Sequence, residues 1–204
     1  MFKVFALLGL FLAPALASLE VYSSKFQEPS PPLITDDFSA NFMQHKWNNI
    51  SMSHVTSGMI YMSASNMKAR LDNTHDGVIQ VSLFDYRNFT KEGYLNKNYV
   101  LQDLTKGPQC QFSRLAVPAY PMFHKRLLQD SGAVFAGWTQ DEMYGQVQTW
   151  SFFYAGIPVS VFIDSKKRFV RYDFWLPQYR TFTTTRFYNI QDAVQNKTLF
   201  DFPC

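Results

Sequence analysis

The sequence predicts a mainly β protein built from curved antiparallel sheets, with one or two short helices. Apolar and polar residues alternate at a period of two through most of the chain, as in strands with one buried face. Turn signals such as Asp76-Gly77 separate the alternating runs. Aromatic residues make up 17% of the chain, with 20 Phe and 11 Tyr, and such residues favour strands. Many strands joined by short turns must curl, because large flat sheets are unusual.

The first candidate element is a short helix in the segment ITDDFSANFMQHKW. Asp36 or Asp37 could cap its first turn, and Phe38 and Phe42 stand four residues apart, as on one side of a helix. Residues 18–35 contain three prolines and no periodic pattern, which predicts an extended lead-in before the folded domain.

Strand patterns follow this segment. The stretch SGMIYMSASNMKARLD predicts two strands around a Ser65-Asn66 turn, and HDGVIQVSLFDY predicts a third strand. YVLQDL and QFSRLAV predict further strands, whereas MFHKRLLQD predicts one or two helical turns. GQVQTWSFFYAG, the hairpin PVSVFIDSKKRFVRYDFW and RTFTTTRFYNI complete the pattern. Lys166-Lys167-Arg168 falls at the hairpin tip, as solvated charges do.

The N-terminus predicts export from the cytoplasm. Residues 1–17 contain Lys3, an apolar run over residues 4–12 and the small-x-small pattern Ala15-Leu16-Ala17, which together predict a secretory signal peptide. The apolar run is too short for a spanning helix, and no later segment qualifies as one. We therefore expect a single domain over residues 36–204 and a secreted or lysosomal protein.

Two cysteines and three acceptor triplets fit an oxidising, glycosylating compartment. The economical assignment for the cysteines is one disulfide, Cys110 to Cys204, with two free thiols or an intermolecular bridge as alternatives. Asn49, Asn88 and Asn196 each begin an Asn-x-Ser/Thr triplet and are candidate glycan sites. The segment RNFTKEG around Asn88 is typical of a loop between strands.

The chain offers no recognisable catalytic motif. A net charge of +3 without a basic stripe argues against nucleic acid as a partner. The sequence lacks a nucleophile elbow, a zinc-protease helix and a phosphate-binding glycine loop, so we expect no enzymatic activity. The segment LDNTHDG begins like a calcium loop but has Leu83 at the twelfth place, where a Glu should stand. The acidic pairs Asp36-Asp37 and Asp141-Glu142 could each donate to a surface calcium, and the metal ligands stay undefined.

The tail TTTRFYNIQDAVQNKTLFDFPC resembles the C-terminus of ependymin-related proteins, and GPQCQF resembles the mid-chain cysteine context of that family. The resemblance implies stacked, curved antiparallel sheets that form a half-barrel-like cradle around an apolar pocket. It also implies a secreted or lysosomal glycoprotein that binds a lipid, with calcium association and homodimers as further family traits. The chain departs from the family in having only two cysteines.

The main functional prediction is a glycoprotein that binds a lipid or another hydrophobic molecule in an apolar pocket. Aromatic residues that alternate along the strands are the candidate ligand contacts: Tyr61, Trp150, Phe152, Phe162, Tyr172, Phe174 and Phe182. The same rings could instead pack a solid core. A calcium-dependent adhesion or matrix protein is therefore the alternative, and a hydrolase with an unrecognised site is a third hypothesis.

Overall fold

A computed structural model describes residues 27–48, 54–75, 77–102, 107–115 and 122–202. The compact unit that carries the strands is Pro31–Cys204. The expected signal peptide and the first half of the expected lead-in lie outside the described residues. Across the described ranges, no helix has the length and the apolar character needed to cross a membrane.

The described residues form eleven strands in one antiparallel sheet, which confirms the mainly β prediction. The strands are β1 (Asp37–Trp47), β2 (His54–Ser63), β3 (Lys68–His75), β4 (Val78–Thr90), β5 (Gly93–Gln102), β6 (Gln109–Leu115), β7 (Val134–Asp141), β8 (Gly145–Tyr154), β9 (Ile157–Ile163), β10 (Phe169–Leu176) and β11 (Thr181–Asp192). Helix α1 (Leu127–Asp130) and the 3-10 turns Pro177–Tyr179 and Lys197–Phe200 are the helical elements of these ranges.

The strand order is β6-β5-β4-β3-β2-β1-β11-β10-β9-β8-β7. Two meanders, β1 to β6 and β7 to β11, thus join where the first strand pairs with the last. Phe42 of β1 stands opposite Phe187 of β11 at this junction. Since β6 and β7 form the two ends of the order and do not pair with each other, the sheet stays open.

The predicted helix near the start of the domain is wrong, because Asp37–Trp47 is strand β1. Phe38, Ala40 and Phe42 are all buried, at a period of two, and the residues between them are more exposed. The spacing of four between Phe38 and Phe42 fits a helix, but it also fits two steps of a strand. Pairing with β2 on one side and β11 on the other decides between them.

The register divides the strand residues into two faces. The inner face is the one that carries Phe42, and each residue paired with an inner-face residue shares that face. Ile60, Val161 and Trp150 belong to this face through the ladders that connect β2, β1, β11, β10, β9 and β8. The outer face is the opposite one and carries Met43, Arg186 and their partners.

The inner face is concave. Tyr94 of β5 and Tyr154 of β8 both belong to it, and the phenol of Tyr154 interacts electrostatically with that of Tyr94. Eight interstrand spacings separate their strands, which would be about 38 Å in a flat sheet. Such a distance is too long for a marked interaction in a salt solution. The sheet therefore curls, in agreement with a half-barrel. A hydrogen bond shows the same curvature, since Tyr144 in the β7–β8 turn donates to the backbone oxygen of Phe187 in β11 at 2.9 Å, although three interstrand spacings separate β8 from β11.

Candidate functional site

The seven aromatic residues predicted as ligand contacts do not share one surface. The register places Trp150, Phe152, Tyr172 and Phe174 on the inner face, and Tyr61, Phe162 and Phe182 on the outer face. The seven residues therefore cannot line one pocket together. Contact with a ligand stays a prediction for each of them.

Three of the four inner-face rings are core residues. Trp150, Phe152 and Tyr172 are buried in the hydrophobic core cluster, and Trp150 is fully enclosed. The indole Nε1 of Trp150 donates to the Oε1 of Gln148 at 3.3 Å. Phe174 differs, since it is only partly buried at the margin of this cluster, with its ring stacked 6.1 Å from that of Tyr172. Of the four, Phe174 is thus the ring that solvent reaches.

Each outer-face ring has a neighbour on that face. The guanidinium of Arg171 lies 4.4 Å from the ring centroid of Phe162 and covers this buried ring. Arg70 lies 5.9 Å from the Tyr61 ring. Phe182 contacts Trp47 at 5.8 Å between centroids and remains exposed. Cation–π contacts of this kind explain the positions of the Phe162 and Tyr61 rings, and no ligand is needed to explain them.

Part of the concavity is filled by residues 122–133, which we call the cover segment. Its Phe123 ring is buried 4.7 Å from Phe169 and 6.1 Å from both Phe38 and Tyr172. Leu128, from the single turn of α1, is fully buried as well. The cover segment therefore supplies the layer that closes the core over this part of the sheet.

An apolar margin extends from the core toward solvent on the inner face. Tyr154, Ile157 and Phe174 are all partly buried and pack against the core cluster. Burial, together with the nearby phenol of Tyr94, raises the pKa of Tyr154 to about 12. Tyr154 is therefore neutral at physiological pH, and the margin presents rings and aliphatic groups without charge.

Polar residues cross the inner face beside this margin. Lys46 of β1 stands opposite Thr183 of β11 and His54 of β2, and Thr183 stands opposite Phe174 of β10. The side chain of Thr183 is buried, and its Oγ1 has no hydrogen-bond partner in the part of the chain that the structure describes. One row away, Gln44 Nε2 donates to Thr185 Oγ1 at 2.8 Å.

Sequence reasoning missed Lys46 and Thr183 as site residues. The alternation in RTFTTTRFYNI places Thr183 and Thr185 on one face of their strand. It does not show which face is concave, nor that β1 is the neighbour of β11. The missing information is the register between the first and the last strand.

Cys110 lies exposed on the outer face of the edge strand β6 and is disulfide-bonded. Cys204, the other cysteine of the chain, lies outside the described residues, so its pairing with Cys110 stays a prediction. The residues shortly before Cys204 do lie on the outer face. Arg70 Nη1 donates to the backbone oxygen of Leu199 at 2.9 Å, and Phe200 is buried. The C-terminal turn therefore packs on the outer face of β3.

Two of the three candidate glycan sites are described, and both are exposed. Asn88 lies near the end of β4, within the strand and not in the expected loop. Its Oδ1 accepts from Arg114 Nη2 at 2.9 Å. Asn196 caps the turn Lys197–Phe200 by accepting from the Thr198 amide at 3.1 Å. Asn49 lies outside the described residues, and glycosylation of all three stays a prediction.

The described residues contain no group of three or more His, Cys, Asp or Glu side chains arranged to hold a metal ion. In the candidate pair Asp141-Glu142, the buried Asp141 is already engaged. It accepts from the amides of Met143 and Tyr144 at 2.9 and 3.2 Å and from Arg186 at 3.4 Å. These contacts give the carboxylate a structural role in the β7–β8 turn.

No protein-family model and no curated protein matches the chain. Solved structures with a similar arrangement include an uncharacterised conserved protein from Thermus thermophilus, with a TM-score of 0.48 and 13% identity over 83% of this chain and 86% of that one. A LolA superfamily protein from Nitrosomonas europaea has a TM-score of 0.41 and 8% identity, over 84% of this chain and 92% of that one. A DUF1329 family protein from Desulfovibrio piger has a TM-score of 0.39 and 9% identity, over 82% of this chain and 90% of that one.

These findings correct the family assignment made from the tail. The neighbouring structures are described as LolA superfamily, DUF1329 family and lipoprotein-sorting proteins, and not as ependymins. The ependymin assignment was wrong because it depended on about one tenth of the chain, a stretch that encodes a common β-strand and a short turn. The calcium association and the dimer that it implied lose their support.

Proposed function

We propose that the protein binds a hydrophobic ligand, with a lipid acyl chain as the best candidate, against the inner face of its open sheet. The observation that carries the proposal is the partly exposed margin of Tyr154, Ile157 and Phe174, which continues the core surface into the concavity. Each buried methylene of a ligand would contribute about 0.8 kcal/mol, so a chain of ordinary length needs only partial enclosure.

The cover segment limits where a ligand can lie, because its buried Phe123 and Leu128 side chains fill part of the concavity. Its helix is a single turn. Two hydrogen bonds connect the segment to the residues before β1: Ile34 N donates to Lys125 O at 3.0 Å, and Gln129 Nε2 donates to Pro31 O at 3.1 Å. A ligand could lie beside this segment, or displace part of it from the core. Both arrangements place an acyl chain against inner-face side chains.

The proposed location is outside the cytoplasm. The signal-peptide pattern of residues 1–17 and the disulfide at the exposed Cys110 support it. We further propose that the protein is secreted and glycosylated. The burial of Trp150, Phe152 and Tyr172 instead favours a solid core, which is the structural part of the alternative, a calcium-dependent adhesion or matrix protein. We propose no catalytic role for either form.

A neutral fluorescent probe tests the binding function. N-phenyl-1-naphthylamine should bind the purified full chain with increased emission, and the variant Phe174→Ala should weaken binding by about tenfold, because it removes an apolar contact of the margin. Phe153→Ala is the matched control, since Phe153 is the most exposed phenylalanine on the outer face. Failure of the wild-type protein to bind the probe would reject the proposal and favour the solid-core alternative.

A further inference from the structure

We infer that the inner face binds an amphiphile with an anionic head group, with the head group at Lys46 and Thr183 and the acyl chain along the apolar margin. This inference depends on the proposed function and adds the class of ligand to it. Three features of the inner face support it.

The first feature is an isolated cation. Among the described strand residues on the inner face, Lys46 is the only lysine or arginine. Within the same residues it makes no hydrogen bond or ion pair, although it is only partly exposed. A lysine that has lost part of its hydration without gaining a counter-ion favours a bound anion.

The second feature is the distribution of carboxylates. Five strand aspartates lie on the outer face: Asp72, Asp141 and Asp173, which each pair with an arginine, and Asp37 and Asp85. The inner-face register contains Asp192, but it lies nine positions from Thr183 along β11, about 30 Å away. In the cover segment, Asp130 pairs with Arg126 at 3.3 Å. No described carboxylate therefore neutralises Lys46.

The third feature is the unsatisfied hydroxyl of Thr183. This residue is 1% exposed, and its Oγ1 is buried without a partner among the described residues. A buried hydroxyl without a hydrogen bond costs free energy, so such groups are rare unless a ligand completes them. Lys46 and Thr183 are direct partners across the β1–β11 ladder, which places their Cβ atoms about 5 Å apart. One head group can thus accept from both side chains once it displaces the atoms that now cover Thr183 Oγ1.

The same ladder connects the head-group position to the apolar margin. Thr183 stands opposite Phe174 on the β10 side, and Phe174 stands opposite Val159, which in turn stands opposite Phe152. An acyl chain that leaves the head group in this direction first meets the partly exposed Phe174, and the buried Val159 and Phe152 lie beyond it. Carboxylate and phosphate heads share the chemistry required here, since both accept hydrogen bonds from an ammonium and a hydroxyl.

Displacement of N-phenyl-1-naphthylamine by oleate, oleoyl lysophosphatidate and oleyl alcohol tests this inference. Oleate or the lysophosphatidate should displace the probe at about tenfold lower concentration than the alcohol, because only the anions pair with Lys46. Whichever anion displaces the probe better identifies carboxylate or phosphate as the preferred head. Lys46→Gln should abolish the preference, whereas Lys68→Gln, which removes a charge from the outer face, should retain it.

Thr183→Val provides a second test that a general loss of structure cannot imitate. Valine has the shape of threonine without the unsatisfied hydroxyl, so the variant should unfold at a higher temperature and yet bind oleate several-fold less tightly. The inference fails if wild-type protein binds the probe but shows no preference for anions, if Lys46→Gln keeps the preference, or if Thr183→Val binds oleate as tightly as the wild type. Absence of probe binding to the wild type would reject the proposed function itself.

Discussion

Tyr154 lies across the concavity from Tyr94, and burial beside this second phenol raises the pKa of Tyr154 to about 12. The unfolded chain would have the ordinary tyrosine pKa near 10. The folded state therefore holds the phenolic proton more tightly, and the stability that this provides is complete below about pH 10. It is lost as the pH rises through the pKa of the folded state.

The first prediction follows from this linkage. The free energy of unfolding should fall between about pH 10 and pH 12, and Tyr154→Phe should reduce the fall because it removes the titrating group. Urea denaturation at a series of pH values measures both curves. Tyr99→Phe, on the outer face of β5, is the matched control and should follow the wild type. Equal slopes for Tyr154→Phe and the wild type would contradict the prediction.

The second prediction concerns Gly58, whose backbone is in close contact with β3. A Cβ atom at this position would lie 2.0 Å from the carbonyl oxygen of Asp72. Gly58→Ala should therefore destabilise the protein by more than about 2 kcal/mol, since backbone on two paired strands must shift. Gly107→Ala is the control, because a Cβ there meets nothing within 4 Å. Chemical denaturation that showed equal stability for the two variants would argue against this packing.

The third prediction compares two ion pairs. Asp164 is buried in the β9–β10 turn, where it accepts from the amides of Lys166 and Arg168 at 2.9 and 3.0 Å and from the Arg168 guanidinium at 2.6 and 2.8 Å. Asp164→Ala should cost about 3 kcal/mol, because it leaves a partly buried arginine and two amides unpaired. Asp130→Ala breaks the exposed pair with Arg126 and should cost less than about 1 kcal/mol. Thermal unfolding measures both variants, and a similar loss of stability in the two would contradict this prediction.

The fourth prediction concerns the disulfide at Cys110. A bond to Cys204 would close a long loop, and its reduction should lower the free energy of unfolding by about 2 to 5 kcal/mol. Intact mass spectrometry should show a gain of two hydrogens in one chain after reduction. Alkylation of both cysteines in unreduced protein would refute an intrachain bond, and a covalent dimer on a non-reducing gel would indicate the intermolecular alternative.

The strands were predictable from the sequence because alternation and turn residues are local signals. The Ser65-Asn66 turn and the hairpin at Lys166 lie where the pattern placed them. The element at residues 37–47 was not predictable from spacing alone, since the spacing of Phe38 and Phe42 fits both a helix and a strand. Only the two neighbouring strands, which the sequence does not reveal, favour β1 over a helix.

The candidate site was less predictable, because faces depend on register. Phe152 and Phe162 belong to similar alternating runs, and yet the two-residue turn Ala155-Gly156 sets their strands so that they lie on opposite faces. A shift by one residue would exchange these positions. Lys46 and Thr183 are distant in sequence, and only the β1–β11 ladder brings them together.

The pairing of the first and last strands has a consequence for how the chain reaches its native state. The central ladder, with Phe42 opposite Phe187, cannot form until synthesis has passed residue 187. Contacts of such long sequence separation slow folding, because a large loop must close before the contacts provide any stabilisation. Each half of the chain can assemble its own meander early, but the hydrophobic interior that both halves share is completed last. A truncated or stalled chain that lacks β11 would expose these apolar surfaces and become a target for chaperones and proteases.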